Sequence, residues 1–267
     1  MTQAAFESAA GTETGTDTPV VPLSKEQIKA IAKHMLSANS AGETDQAYWY
    51  RQLATARWLA HTLFVDKRWG AYPYPYHLEQ VASEQRTRWG EVAGWLHDLV
   101  EDIDGWELED LEEIGFNVKV LNIVDHVTKR DGEKYFEAVA RCGEDLDSAS
   151  LKMDDNARNS QMHEYHRFPD QRQHHRADKY WISRRYLQDR VEGRCAPGTP
   201  VIVWATQNEH VILNPQDLNG EGVSEARARF YDLLFNETDA ATLEKVQGDL
   251  SRLTRLLDHK TGAVPTV

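Results

Sequence analysis

"GWLHDLVEDIDGW", residues 94–106, sets His97 beside Asp98 and follows them one turn later with Glu101 and Asp102, inside an apolar frame of Trp95, Leu96, Leu99, Val100 and Ile103. The spacing predicts a helix on which His97 lies over Glu101 and Asp98 over Asp102, on adjoining strips. Three acids and a histidine crowded in this way repel one another if merely buried, and need a cation or a proton between them to persist. The same string is also compatible with solvated surface groups, so its companions along the chain must decide.

Working outward, helical periodicity surrounds this segment. Ser24 and Gln27 stand three apart ahead of "IKAIAKHML", the signature of a capping box. A second helix is expected over about residues 45–65, where Ala47, Tyr50, Leu53, Ala54, Trp58, Leu59 and Leu63 follow helical spacing. "DKRWGAYPYPY" reads as a loop punctuated by Gly70, Pro73 and Pro75. Helical patterns resume in "HLEQVASE", "TRWGEVAGWLHDLVEDI", "ELEDLEEIG", "VKVLNIVDHVTK", "GEKYFEAVARC", "DSASLKMDDNARNSQM" and "RADKYWISRRYLQDRV". Seven successive helices with short links imply an all-α bundle rather than a βαβ sheet. After Pro197 the pattern changes: "PVIVWA" and "HVILN" read as a small hairpin around "TQNE", followed by two amphipathic helices. The organisation expected is a disordered tail over residues 1–22, a main helical domain over 23–196 and an appendage over 197–267.

Composition narrows the function. No apolar run approaches the roughly 18 to 20 residues of a membrane span, and the first residues carry no basic and apolar leader. Two cysteines, Cys142 and Cys195, without metal or disulfide spacing, fit a reducing cytoplasm. A net charge of −13 argues against a protein that coats nucleic acid, while a small polyanion remains admissible where a metal or a local basic pocket overrides the global charge. A small polyanionic molecule is thus the partner left admissible, with no nucleic acid and no membrane; self-association into a homo-oligomer is left open.

Companions of the opening motif exist. His77 lies upstream in "YPYHLEQVA", and Asp155 and Asn159 form another one-turn pair in "LKMDDNARN". Two imidazoles with two carboxylates make an N/O ligand set suited to manganese, iron or zinc. His77, the adjacent His97 and Asp98, and Asp155 resemble the H…HD…D signature of the HD-domain metal-dependent phosphohydrolases. Within that superfamily the chain is most similar to the hydrolase domain of the RelA/SpoT alarmone enzymes and their stand-alone relatives, the small alarmone hydrolases. The resemblance spans roughly residues 45–165 and includes "AGWLHDLVED", "IVDHVTKRDGEKYFEAVARC" and "LKMDDNARNS".

That resemblance implies an HD-type bundle with His77, His97, Asp98 and Asp155 as ligands of one manganese ion. Glu101 and Asp102 would position or deprotonate the attacking water. Asn159 would contact the nucleoside, and Lys67 and Arg68 the base and phosphates. The activity implied is hydrolysis of the 3′-pyrophosphate of guanosine tetra- or pentaphosphate. Residues 197–267 are too few for the family's nucleotidyl-transfer domain, so a hydrolase without a synthetase is expected. Two positions depart from the family pattern: Leu78 follows His77 where a proline is usual, and Met162 stands where a threonine is frequent. Both bear on the base, so an HD phosphohydrolase of another nucleotide, an adenine analogue or a dNTP, is the alternative. A non-catalytic binding protein that keeps the same shell is the third.

Other features read as structural. His163, His166, His174 and His175 lack partner carboxylates at metal spacing, most tryptophans fall at helical core positions, and "DGWELEDLEEIG" reads as a solvated acidic helix. Trp69 is the exception among the tryptophans, because it lies next to Arg68 in the candidate substrate loop.

Overall fold

Helix α1 (Lys25–Ser37) begins at the capping box: the Ser24 backbone N–H donates to Gln27 Oε1 at 2.8 Å and the Gln27 N–H to Ser24 Oγ at 3.3 Å. Thr44 caps α2 (Asp45–Leu63) through the Ala47 N–H. These and the following elements belong to a computed structural model that describes residues 22–37, 43–161, 171–214 and 222–247; residues 1–21 of the expected tail lie outside them.

A two-residue turn then joins β1 (Arg68–Trp69) to β2 (Tyr72–Pro73), with Gly70 at φ 57°, a value that suits glycine. This short antiparallel ribbon stands where the sequence suggested a loop. It leads directly into α3 (Tyr74–Glu84), whose early Pro75 is tolerated because the first helical N–H groups need no intrahelical partner. Next come α4 (Arg88–Leu96), α5 (Leu99–Asp102), α6 (Leu108–Ile114), α7 (Val118–Val127), α8 (Tyr135–Cys142), α9 (Leu146–Gln161) and α10 (Gln171–Val191). Helix α4 lies against α2, α3 and α7, while α9 runs along α10 and touches α3, α7 and α8. Among the described residues the fold is therefore all-α, as the periodicity predicts, with the ribbon as its only sheet.

The expected hairpin after Pro197 is absent: its two segments are the helices α11 (Val201–Gln207) and α12 (Glu209–Ile212). A short apolar run does not distinguish strand from helix by itself. Here Pro200 sits at the N-cap, Trp204 Nε1 donates to Asp189 Oδ2 at 2.8 Å, and the Trp204 ring meets Tyr186 edge-on, so tertiary contacts with α10 fix the helix. The two closing helices are α13 (Val223–Asn236) and α14 (Ala240–Gln247). The buried side chains of α11 to α14 join the same apolar core as the preceding helices.

The acidic helix α6 is not simply solvated. Asp110 closes a capping box with Glu107 and accepts from Lys25 and Lys29 of α1 at 2.6 and 2.9 Å, tying the two helices together.

Candidate metal centre

Three segments bring the candidate ligands together: α3 carries His77, the α4–α5 junction carries His97 and Asp98, and α9 carries Asp155. Gly94 makes the approach of α4 to α3 possible, since a Cβ there would stand 2.5 Å from Ala82 Cα. Its carbonyl has a second role. In a continuous helix it would accept from the Asp98 N–H; here it accepts from His97 Nδ1 at 2.8 Å. Helix α4 accordingly ends at Leu96, Asp98 takes φ −95° and ψ 0°, and α5 restarts at Leu99. The single helix expected through this stretch is thus broken at the His–Asp pair. Asp98 and Asp102 stay one turn apart nonetheless, because the Asp102 N–H donates to the Asp98 carbonyl at 2.8 Å.

With Nδ1 donating, the neutral His97 ring directs the lone pair of Nε2 at the carboxylates, the arrangement typical of metal-ligating histidine. His97 Nε2 lies 3.1 Å from Asp98 Oδ2 and 3.6 Å from Asp155 Oδ1; His77 Nε2 lies 3.5 and 3.2 Å from the same atoms. Both imidazoles are almost wholly buried, and neither Nε2 makes a hydrogen bond of acceptable geometry. Spacings of 3.1–3.6 Å are those of ligands about 2.0–2.2 Å from a common centre. The donor atoms of His77, His97 and Asp98 all lie within 4.8 Å of one another, so this group can hold a metal ion.

The electrostatics agree. Burial by itself would lower the pKa of both histidines, yet Asp98 and Asp155 raise them above the ordinary imidazole value. Burial would raise the two carboxyls, yet His97 and His77, and Lys152 beside Asp155, hold them well below theirs. The four groups therefore call for positive charge, supplied by protons or by a cation.

Around them stand Tyr74 and Lys152, which the sequence reading did not single out, and Asn159 and Trp69, which it did. Tyr74, one turn ahead of His77 on α3, donates its hydroxyl to Asp98 Oδ2 at 2.8 Å, and both Asp98 and Asp102 help to raise its pKa after burial. Lys152, one turn ahead of Asp155 on α9, donates to Asp155 Oδ2 at 2.9 Å. Asn159 Nδ2 donates to Asp155 Oδ1 at 2.6 Å and its Oδ1 accepts from Trp69 Nε1 at 3.0 Å. Trp69 is buried and stacks on the His77 ring, with centroids 5.1 Å apart and planes at 20°. Its indole thus positions a ligand and an amide. Helical spacing to a motif residue was the available signal for both Tyr74 and Lys152.

The remaining candidates fall at the rim. Lys67 Nζ donates to the Asp102 carbonyl and lies 3.5 Å from Asp102 Oδ2. Arg68 is exposed on β1, and Glu101 is exposed with a carboxylate oxygen accepting from the Lys129 N–H. His163, His166, the side chain of His174, and Met162 lie outside the described residues, while His175 is exposed on α10, 3.9 Å from Glu237. Cys142 and Cys195 are buried, unpaired with each other and far from reactive, with burial pushing the Cys142 thiol up to about 12.

No protein-family model matches the chain, and no curated protein matches it significantly. What fold and site define is a class: an all-α protein with a buried His–Asp group able to hold a metal ion. No helix among the described residues is long and apolar enough to cross a membrane.

Proposed function

We propose that the chain is a cytoplasmic HD-type phosphohydrolase that removes the 3′-pyrophosphate of guanosine tetra- or pentaphosphate, giving GDP or GTP and pyrophosphate. The observation that carries this reading is the pair of buried imidazoles whose Nε2 atoms, unsatisfied by any hydrogen bond, face Asp98 and Asp155. His77, His97, Asp98 and Asp155 would hold one divalent ion; the mixed N/O donor set suits manganese, iron or zinc, and manganese is the ion that the family resemblance implies. Such an ion supplies a Lewis acid for a phosphate oxygen and acidifies water toward a pKa of about 7.

The chain's own residues divide the remaining work. Asp102, one turn beyond Asp98, orients the attacking water and accepts its proton, with Glu101 at the rim as the second carboxylate. Lys67, held on Asp102, and Arg68 on the adjacent strand meet the phosphates of the substrate. Asn159 contacts the nucleoside by exchanging one of its two present hydrogen bonds for one to the substrate.

One observation favours a second reading, hydrolysis of another nucleotide: the Asn159 amide is engaged on both sides, by Asp155 and by Trp69. A panel of guanosine tetraphosphate, its adenine analogue and dATP, assayed with manganese, separates the two. Preferential cleavage of the guanosine compound is expected; cleavage of dATP alone would replace the first reading by the second.

A further inference from the structure

Asp155 divides its two oxygens between different tasks. Oδ1 faces His77 Nε2 at 3.2 Å and His97 Nε2 at 3.6 Å, whereas Oδ2 accepts from the Lys152 ammonium at 2.9 Å. Lys152 keeps only 17% of its side-chain area in contact with solvent, against 4% for Asp155. This ion pair places the positive charge of the lysine against the ligand shell, on the far oxygen of one of its carboxylates.

A count of charges shows what this does. With neutral imidazoles, Asp98 and Asp155 cancel a divalent cation, and Asp102 is matched by Lys67. Glu101 adds one negative charge and Arg68 of β1 one positive charge, and Lys152 makes the surroundings positive by one. In a chain of net charge −13, removing Lys152 would make the neighbourhood that a phosphate meets more negative by one charge.

We propose that Lys152 is the charge-setting residue of the centre: it loosens the hold of the ligand shell on its cation and in exchange lets the loaded centre accept an anionic phosphate group. This rests on reading His77, His97, Asp98 and Asp155 as a divalent-cation site, and not on the identity of the nucleotide. Charges a few ångströms apart in a protein interact strongly enough to shift a binding constant about tenfold or more. The two effects have opposite signs. A lysine that merely buttressed Asp155 would, on removal, weaken both cation and phosphate.

The test uses the purified full chain with Lys152→Gln, Lys152→Met and Lys152→Arg. Manganese is titrated into metal-free protein and followed by the electron paramagnetic resonance signal of the free ion; inorganic phosphate, a weak chelator, is then titrated calorimetrically into the loaded protein. The two neutral variants are expected to bind manganese about tenfold tighter and phosphate about tenfold weaker than wild type, with the arginine variant close to wild type in both. Manganese affinity unchanged or reduced in the neutral variants, both affinities moving together, or an arginine variant that behaves like the neutral ones would each overturn the proposal. Failure of the wild type to bind manganese would instead remove the cation site on which it rests.

Discussion

Gly94→Ala adds one carbon where α3 and α4 are in closest contact. Its Cβ would stand 2.5 Å from Ala82 Cα and 2.9 Å from Ala82 Cβ, against about 3.5–4.0 Å for an ordinary carbon contact. The obstruction is backbone, so a rotamer change cannot relieve it, and the helices must separate by about 1 Å. Overpacking of this kind costs about 1–3 kcal/mol, and the upper end applies because backbone has to move. Replacing glycine in a helix returns about 1 kcal/mol of propensity, so the net expectation is a loss of about 2 kcal/mol. The same displacement moves His77 relative to His97 and Asp98, in a shell that has to be held within about 0.5 Å to bind well. Manganese affinity should fall about tenfold or more. Urea unfolding at constant slope reads the first effect and manganese titration the second. A variant as stable as wild type with undiminished manganese affinity would refute the argument that this glycine sets the distance between the helices.

Other perturbations follow from the same geometry. Burial and the nearby Asp239 carboxylate raise Glu137 from 4.5 to about 7, a shift that makes the folded state favour the protonated form. Its penalty is absent below about pH 4.5 and grows as pH rises to about 7; Glu137→Gln should abolish that decline and gain about 1 kcal/mol at pH 8 after solvent screening, as measured by unfolding across pH. Arg190 is buried, with Nε donating to the Gly143 carbonyl at 2.7 Å and Nη1 to that of Cys195; Arg190→Ala leaves both carbonyls unsatisfied and should cost about 2–4 kcal/mol in chemical denaturation. Asp98→Ala should weaken manganese binding about a hundredfold or more, whereas Glu101→Gln should keep the metal and lose about a hundredfold or more in turnover; equal metal loss in both would show that the two roles are wrongly divided.

Long amphipathic segments and their caps were readable from sequence because local chemistry determines them: the Ser24–Gln27 box and the start of α2 at Asp45 both follow it. The convergence of His77, His97, Asp98 and Asp155 was expected from their residue types and from the resemblance to the H…HD…D signature. What escaped was decided by contacts between segments. The residues of α11 could have been a strand until Trp204 met Asp189 and Tyr186. The helix break at Asp98 depends on His97 Nδ1 taking the Gly94 carbonyl, a side-chain choice that periodicity does not register. Tyr74, Lys152 and the stacking of Trp69 on His77 acquire meaning only once the three segments meet.

On the proposed reading, the His–Asp group supports metal-dependent release of pyrophosphate. The most direct measurement is hydrolysis of guanosine tetraphosphate by the purified chain after chelation and again after manganese is restored, with products identified and Asp102→Asn run in parallel. GDP and pyrophosphate are expected from the wild type only when manganese is present, and at least about a hundredfold less from the variant. Cleavage that survives chelation, or that the variant performs as well as wild type, would contradict that reading.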